Sequence, residues 1–446
     1  MVKPKKVAGV VELLPVQQKT LDGLIEDIKN IFELFGFVPI STPLFEYKEV
    51  LLSKSSPQTQ KQVYFLSSSG TIAQRQPPKY AIRYDLTVPL ARYVAQNQEY
   101  LSFPFKRYQI QQVYRGESPQ QGRFREFYQC DVDVIGRQNL SGSYDGEMVV
   151  IAKTLLTEIA LGDFKIHISN RNLFKALFKA IQLKETTLQE RIIREIDKVE
   201  KRGVEPLKKL LEGEIKLKKP QVEMVLGFIN LRAKHPEELG YKLDKLGISN
   251  EFSLLALSQL SLMFEVLKAY EVNQDFIKIN LKIARGLDYY TGNIFEAVLD
   301  DYKELGSVCS GGRYDNLVQN FCRNSFPGVG VSFGLSRILP VYLKKNQPKT
   351  GKCFVMIANL DYTMSYDYAN LAKTLRKRGI ATLVYMQKEK LSKQMSFANK
   401  SSIDYVLLYA KNEKEKNVIT VKNFKMGKQT EVAKDDVAEF LLKQVG

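Results

Sequence analysis

The apolar positions of this chain change period several times, and each change marks an element. Over residues 10–36, Leu13, Val16, Leu21, Ile25, Ile28, Ile31 and Phe32 recur near helical spacing, which predicts a helix. Gly36-Phe-Val-Pro-Ile-Ser-Thr-Pro43 reads as a turn and a short strand, and strand-like runs continue at residues 64–66 and 81–84. Residues 88–96 read as a helix with Pro89 in its first turn, where a missing N–H does no harm. Two long strands follow, at residues 105–114 and 124–135. The loop Arg115-Gly-Glu-Ser-Pro-Gln-Gln-Gly-Arg123 lies between them, so the pattern is an antiparallel hairpin with a long tip.

From about residue 184 to 275 the chain turns dense in Lys, Glu, Leu and Ile. It reads as consecutive helices broken at Gly203, Pro220 and Pro236, a helical insertion. Strand-like sequence then resumes and holds three glycine-bearing segments: Arg285-Gly-Leu-Asp-Tyr-Tyr-Thr-Gly292, Gly311-Gly-Arg-Tyr-Asp315 and Gly328-Val-Gly-Val-Ser-Phe-Gly334. A polar stretch at 344–352 is a linker candidate. Beyond it a buried strand at 353–358, a helix at 369–378 and strands at 381–385 and 405–410 alternate as in a small α/β domain with βαβ units. No internal repeat is evident.

Composition narrows the class. A chain of 446 residues predicts two or three domains, and 44% hydrophobic residues can fill their cores. No apolar run reaches the roughly 18 residues a membrane helix needs. Met1-Val-Lys-Pro-Lys-Lys-Val7 has charge but no apolar stretch after it, so neither a secretory signal nor an Arg- and Ser-rich transit peptide is expected. Cys130, Cys309, Cys322 and Cys353 form no CxxC pair, and His167 and His235 stand alone. That spacing argues against structural zinc and fits free thiols in a reducing cytoplasm. The formal charge of +17 suits a polyanionic partner, of which nucleic acid is the commonest, and equally suits a solubilising lysine-rich surface. Residues 351–446 carry 17 Lys/Arg against 10 Asp/Glu, so part of the surplus sits in the last domain.

Period-two alternation sorts the second hairpin strand into two faces. Phe124, Tyr128, Cys130, Val132 and Val134 fall on one, with Glu126 the exception; Arg125, Phe127, Gln129, Asp131 and Asp133 fall on the other. On the first strand Arg115 shares a side with Gln109 and Gln111, opposite Tyr108, Ile110 and Tyr114. The simplest reading is a sheet with one apolar and one functional face, although a half-exposed sheet with salt-bridged charges has the same pattern. In the glycine-bearing segments, a cation beside flexible backbone suits phosphate or carboxylate, and tyrosine hydroxyls suit a hydrogen-bonding aromatic substrate. Either tyrosine segment alone would fit core packing. Asp85 or Thr87 in Arg83-Tyr-Asp-Leu-Thr87 can cap the helix that follows.

The string Tyr114-Arg-Gly-Glu117…Gly122-Arg-Phe-Arg-Glu-Phe127 resembles motif 2 of class II aminoacyl-tRNA synthetases. Tyr128-Gln-Cys-Asp131 and the two tyrosine segments resemble the histidyl-tRNA synthetase family in particular. Gly328 to Arg337 is similar to motif 3, with Ser336 where the family usually has Glu, and Pro43 is similar to the motif 1 proline at the dimer interface. The resemblance covers nearly the whole chain in the right order. It implies an α+β fold: a mixed, mostly antiparallel sheet with flanking helices over residues 1–343, the helical insertion, the linker at 344–352, and an anticodon-binding α/β domain over 353–446.

The resemblance also implies roles. Arg115 and Arg285 would be the catalytic cations on the α-phosphate of ATP, Glu117 would accept from the adenine amino group, and Phe127 would stack on the purine. Arg123 and Arg337 would hold the terminal phosphates. Asp85 and Thr87 would take the histidine ammonium, Gln129 its ammonium and carboxylate region, and Asp133 with Tyr290 the two imidazole nitrogens. Tyr289 and Tyr314 would line the pocket, and Ser118-Pro-Gln-Gln121 would meet the acceptor end of tRNA. The implied activity is ATP-dependent ligation of histidine to its tRNA through histidyl-adenylate, with magnesium arriving on ATP and no metal held by side chains, in a cytoplasmic homodimer away from membranes. A non-catalytic regulatory subunit of ATP phosphoribosyltransferase shares the catalytic fold and is the alternative. Such subunits typically lose the phosphate-binding arginines and the C-terminal domain, and this chain keeps Arg115, Arg123, Arg285, Arg337 and a basic last domain.

Overall fold

Alternation in the two hairpin strands builds the centre of the protein. In the computed structural model, which describes residues 1–444 apart from 54–59, 119–121, 284–288, 347–353 and 425, the hairpin joins a larger sheet. Its strands in chain order are β1 (Val38–Pro39), β2 (Phe105–Tyr114), β3 (Glu126–Ile135), β4 (Phe164–Asn170), β5 (Ile277–Ile279), β6 (Asn293–Leu299), β7 (Ser307–Tyr314) and β8 (Gly328–Phe333). Among the described residues they lie in the order β1-β2-β3-β8-β7-β6-β4-β5. β1 on β2 and β5 on β4 are parallel, and every other neighbour is antiparallel. The chain divides into two units, one containing Leu21–Asn346 and the other Gln347–Gly446.

One face of this sheet is apolar, as the alternation requires. Tyr128, Cys130, Val132 and Val134 of β3 and Tyr108 of β2 pack in one core with Leu21, Leu24, Ile28 and Phe32 of the helix Pro15–Leu34 and with Val149 and Leu156 of the helix Ser143–Ile159. Burying each such side chain contributes about 1.5–3 kcal/mol, so this face anchors the hairpin. The first helix starts later than its apolar spacing predicts, at Pro15, because proline suits a first turn and not an interior.

The opposite face departs from the expected picture. Gln109, Gln129, Asp131 and Asp133 are buried, and Arg107 is fully buried. Sequence alternation identifies a polar face but cannot say that other strands and loops will close over it. Here they do, and the buried face keeps polar atoms without a hydrogen bond, among them Gln129 Oε1 and Arg107 Nε.

The segment expected to be helical lies between β4 and β5 and is helical, with Thr186–Ile196, Lys219–Asn230, Pro236–Lys245 and Glu251–Ala269 its longer members. Pro220 and Pro236 begin helices instead of breaking them. Gly203 closes a short helix at a φ of +76°, a conformation that glycine adopts without strain. Helix Glu251–Ala269 is long and apolar enough, by length and composition, to cross a membrane. Scanning for uninterrupted runs misses it because Ser253, Ser258 and Gln259 punctuate it. Its Ala256, Leu260, Met263, Phe264 and Leu267 are buried in the same core as the helices Ser143–Ile159 and Arg171–Ala180.

In the C-terminal unit, Phe354–Ile357 pairs in parallel with Ala381–Val384 and with Tyr405–Leu408, and Val418–Asn423 and Gln429–Ala433 extend the sheet antiparallel. The helices Ser365–Lys377 and Leu391–Lys400 stand between the parallel strands in chain order. The second of these is not evident from periodicity, since its only buried residues are Gln394 and Ala398.

Candidate active site

β3, β7 and β8 lie side by side at the centre of the sheet, and their polar sides floor a cavity of about 350 Å³. Of the residues singled out from sequence, Arg115, Phe127, Arg337, Thr87, Gln129, Asp133, Tyr289, Tyr290 and Tyr314 all line it. They come from the hairpin, the start of the helix Thr87–Asn97, the segment before β6, the end of β7, and the helix after β8.

Two cations and an aromatic ring are part of the lining. The Arg115 guanidinium sits 5.0 Å from the centre of the Phe127 ring, a cation–π contact, and its Nε donates to the Tyr84 carbonyl at 3.0 Å. Arg337 donates from Nε to the Gly122 carbonyl at 3.4 Å and from Nη1 to the Ser307 carbonyl, so it ties the hairpin tip to the start of β7. Ser336, beside it, accepts from the Tyr128 amide at 2.9 Å. The serine therefore supports the back of β3, a local task consistent with the absence of a carboxylate there.

Tyrosines and carboxylates complete it. Tyr289 packs edge-on against Tyr290 at 4.9 Å and against Tyr314 at 5.8 Å. The Tyr314 hydroxyl donates to Asp133 Oδ1 at 2.6 Å, and Arg107 Nη2 lies 2.6 Å from Asp133 Oδ2. Burial raises the affinity of all three tyrosines for their protons, so each hydroxyl remains a donor at neutral pH. Burial also pushes Asp85 up to about 6 and Asp131 up to about 7, against the pull of Arg107 and Arg115 on Asp85 and of Arg107 on Asp131. Asp85 does cap its helix, accepting from the Val88 amide at 3.2 Å, while its Oδ2 is buried without a hydrogen bond. Asp131 accepts from Ser332 Oγ and from Gln129 Nε2 at 3.2 Å.

Other expectations come out differently or lie beyond view, and Asp85, though buried, is not among the lining residues. Glu117 and Arg123 do not line the cavity; they form an ion pair with each other at 3.5 Å, with the Arg123 side chain 53% exposed. Arg285 and most of the Ser118–Gln121 tip lie outside the described residues. Arg313, the cation of the second tyrosine segment, is turned to the other side of β7. It grips Asp145 from Nε at 3.0 Å and Nη2 at 2.7 Å, and also donates to the carbonyls of Leu140 and Ser141. It is an internal brace, because the residues flanking Tyr314 on a strand must face away from it. The glycine-rich strand β8 also has a second reason for its glycines. A Cβ on Gly330 would lie 2.0 Å from Asp133 Oδ1, so Gly330 makes room for a side chain as much as for a ligand.

Sequence reasoning overlooked Arg107, Ser332 and Glu296 in this region. Arg107 was findable: it shares its side of β2 with Gln109 and Gln111, and it stands opposite Asp133 in the hairpin register. Ser332 and Glu296 line the cavity but carry no local signal.

The fold and the cavity together define a class of enzyme-like α+β protein that joins a mostly antiparallel sheet to a small α/β domain, and comparison identifies which. The histidyl-tRNA synthetase family profile matches residues 9–338, and an anticodon binding domain profile matches 352–444. A histidine–tRNA ligase of Xanthomonas campestris is 39% identical over 460 residues, covering 99% of this chain and 96% of the relative. The crystal structure of histidyl-tRNA synthetase from Nostoc sp. PCC 7120 superposes with a TM-score of 0.86 at 32% identity, covering both chains completely. A structure described as an ATP phosphoribosyltransferase regulatory subunit/histidyl-tRNA synthetase, from Bacillus halodurans, shares the fold at a TM-score of 0.74 and 23% identity, covering 91% of this chain and 99% of that one. This chain belongs to the histidyl-tRNA synthetase family.

Proposed function

We propose that this protein ligates histidine to its tRNA in two steps, with ATP as the energy source. Histidine's carboxylate attacks the α-phosphate of ATP to give histidyl-adenylate and pyrophosphate. A ribose hydroxyl at the tRNA 3′ end then attacks the acyl carbon. The observation that carries this reading is a single cavity lined by Arg115, Arg337 and Phe127 together with Tyr289, Tyr290, Tyr314 and Asp133. The regulatory-subunit alternative is the poorer fit, since Arg115 and Arg337 both line that cavity and a C-terminal unit is present.

In this reading Arg115 and Arg285 are the catalytic cations. Fixed guanidinium groups stabilise charge that builds on phosphorus without reorganising. Phe127, now under Arg115, takes the adenine ring, and Arg337 takes the terminal phosphates. Arg123 and Glu117 exchange their mutual ion pair for the phosphates and the adenine amino group when ATP enters. Thr87, Asp85 and Gln129 hold the ammonium end of histidine, and Asp133 and Tyr290 the imidazole nitrogens, with Tyr289 and Tyr314 as walls. A site whose polar groups need a donor and an acceptor rejects apolar amino acids strongly. Magnesium arrives as part of the ATP substrate, coordinated by phosphate oxygens and water.

The last domain, residues 353–446, binds the anticodon end of tRNA, residues 1–343 hold the chemistry, and 344–352 link them. The protein works in the cytoplasm as a homodimer. The dimer has support in a small sheet formed by Phe45–Tyr47, Tyr80–Ile82 and Phe65–Leu66 just after Pro43. It exposes Phe45, Tyr47, Phe65 and Tyr80, with the Tyr80 ring in contact with those of Phe45 and Tyr47, an apolar face that a second copy would cover. Sedimentation of a Tyr80→Lys variant checks this; a wild-type monomer at micromolar concentration rules it out.

Histidine-dependent ATP–pyrophosphate exchange is the deciding assay, with other amino acids as controls. Arg115→Ala and Arg285→Ala should each lower exchange by about 100-fold or more while the fold stays intact. Exchange near the wild-type rate in either variant, or no histidine dependence in the wild type, refutes the assignment. Removing the residues after Lys352 should spare exchange and weaken tRNA charging.

A further inference from the structure

Arg107 has no part in the reaction just described, yet it is 0% exposed and the largest fully buried side chain among the described residues. Desolvating a guanidinium is costly, and a buried ion pair is often no more stable than apolar groups of the same volume. Core stability alone therefore does not account for it.

Its surroundings do. Arg107 stands opposite Asp133 in the β2–β3 register and places Nη2 2.6 Å from Asp133 Oδ2. The other oxygen, Oδ1, accepts from the Tyr314 hydroxyl at 2.6 Å, from β7. β8 sets Gly330 opposite Asp133 on the remaining side, where any side chain would collide with the carboxylate. Gln109 Oε1, 3.5 Å from Arg107 Nη1, holds the guanidinium in turn. Asp133 lines the cavity and Arg107 does not.

We infer that Arg107 is a positioning residue for this reaction: with Tyr314 it clasps both oxygens of Asp133, so that histidine is held by a carboxylate whose orientation and charge are set by a side chain that never touches the substrate. The inference rests on the functional reading above, in which Asp133 faces the imidazole. Burial drives Asp133 toward its neutral form, and Arg107 is the main opposing influence. The groups that face this carboxylate are Arg107 from β2, Tyr314 from β7 and Gly330 from β8, with Tyr290, Asp131 and Asp85 as its further charged or titratable neighbours. Arg107 is the cation among them. Its charge also acts on Asp85 and Asp131, so one guanidinium serves three buried carboxylates at the imidazole and ammonium end.

The test is the histidine-dependent exchange assay on the full chain, with KM for histidine and for ATP measured from about pH 6 to 9. Arg107→Met should raise the KM for histidine about tenfold or more, because it leaves the Asp133 carboxylate without its buried counter-ion, and leave the KM for ATP near wild type. The acid limb of the histidine profile should move up by about one pH unit. Arg107→Lys should recover part of both. Parallel losses for histidine and ATP with an unmoved pH profile overturn the inference, since that is what general loosening would give. Should Arg107→Met fail to fold, Arg107→Lys is read alone: a raised histidine KM with the ATP KM near wild type supports the inference, and an unchanged histidine KM overturns it. A wild type without histidine-dependent exchange fails at an earlier step and overturns the functional reading with it.

Discussion

The same sheet buries two arginine–aspartate pairs, and they serve opposite ends. Arg313 and Asp145 meet on the helix side, where Arg313 spends its donors on Asp145 and on the carbonyls of Leu140 and Ser141, and Asn293 Nδ2 completes Asp145 at 2.9 Å. Arg107 and Asp133 meet on the cavity side, where the aspartate also accepts from Tyr314 and reaches the cavity lining. Pair chemistry does not separate them. What separates them is where the aspartate's remaining capacity points: into protein for one, into the cavity for the other. A buried ion pair is thus structural or functional according to its third partner.

That contrast can be broken in three ways, beginning with the largest loss of stability. Arg313→Ala leaves Asp145 as an uncompensated buried charge and should cost about 3–5 kcal/mol of stability. Chemical denaturation measures it, and activity per folded molecule should hold; a stable variant with a defective histidine KM would reverse the assignment of the two pairs. Gly330→Ala intrudes on Asp133 Oδ1, and overpacking of that kind costs about 1–3 kcal/mol. Here the damage should appear in the histidine KM more than in the melting temperature, and an unaffected KM would mean Asp133 is not held as described.

A third handle is a pH dependence. Asp131 sits at about 7 when folded, above the ordinary carboxylate value of 3.8, because burial disfavours its charge. Between those values the folded chain binds the extra proton, so the contribution of this group to stability falls as pH rises from about 4 to about 7 and then levels off. Asp131→Asn should flatten that part of the pH–stability curve, which thermal melts across the range would record. An unchanged slope would mean that the charge on Asp131 is already balanced in the folded protein.

Much of the site was legible before any coordinates. Alternation along β3 placed Phe127, Gln129 and Asp133 on one face, and they do share the cavity. The tyrosine segments were legible because glycine, tyrosine and arginine so close together suit few core strands. Glu117 and Arg123 were less so: their mutual ion pair depends on how the hairpin tip folds back, which no local pattern records. Arg313 misled for a related reason. Its segment suggests a ligand-binding cation, while the pleat that aims Tyr314 into the cavity sends Arg313 to the opposite face.

By itself the sequence determined the kinds of element, their order, the two faces of the hairpin and the family. Period and local turn chemistry act within a few residues, and those features need nothing longer. Only the tertiary structure decided that the polar face is covered down to one cavity, that Arg107 and Tyr314 share Asp133, and that Gly330 exists partly to admit a carboxylate. Those facts depend on β2, β3, β7 and β8 lying within hydrogen-bond reach although up to about two hundred residues separate them along the chain, and contact at that range is set by packing, not by pattern.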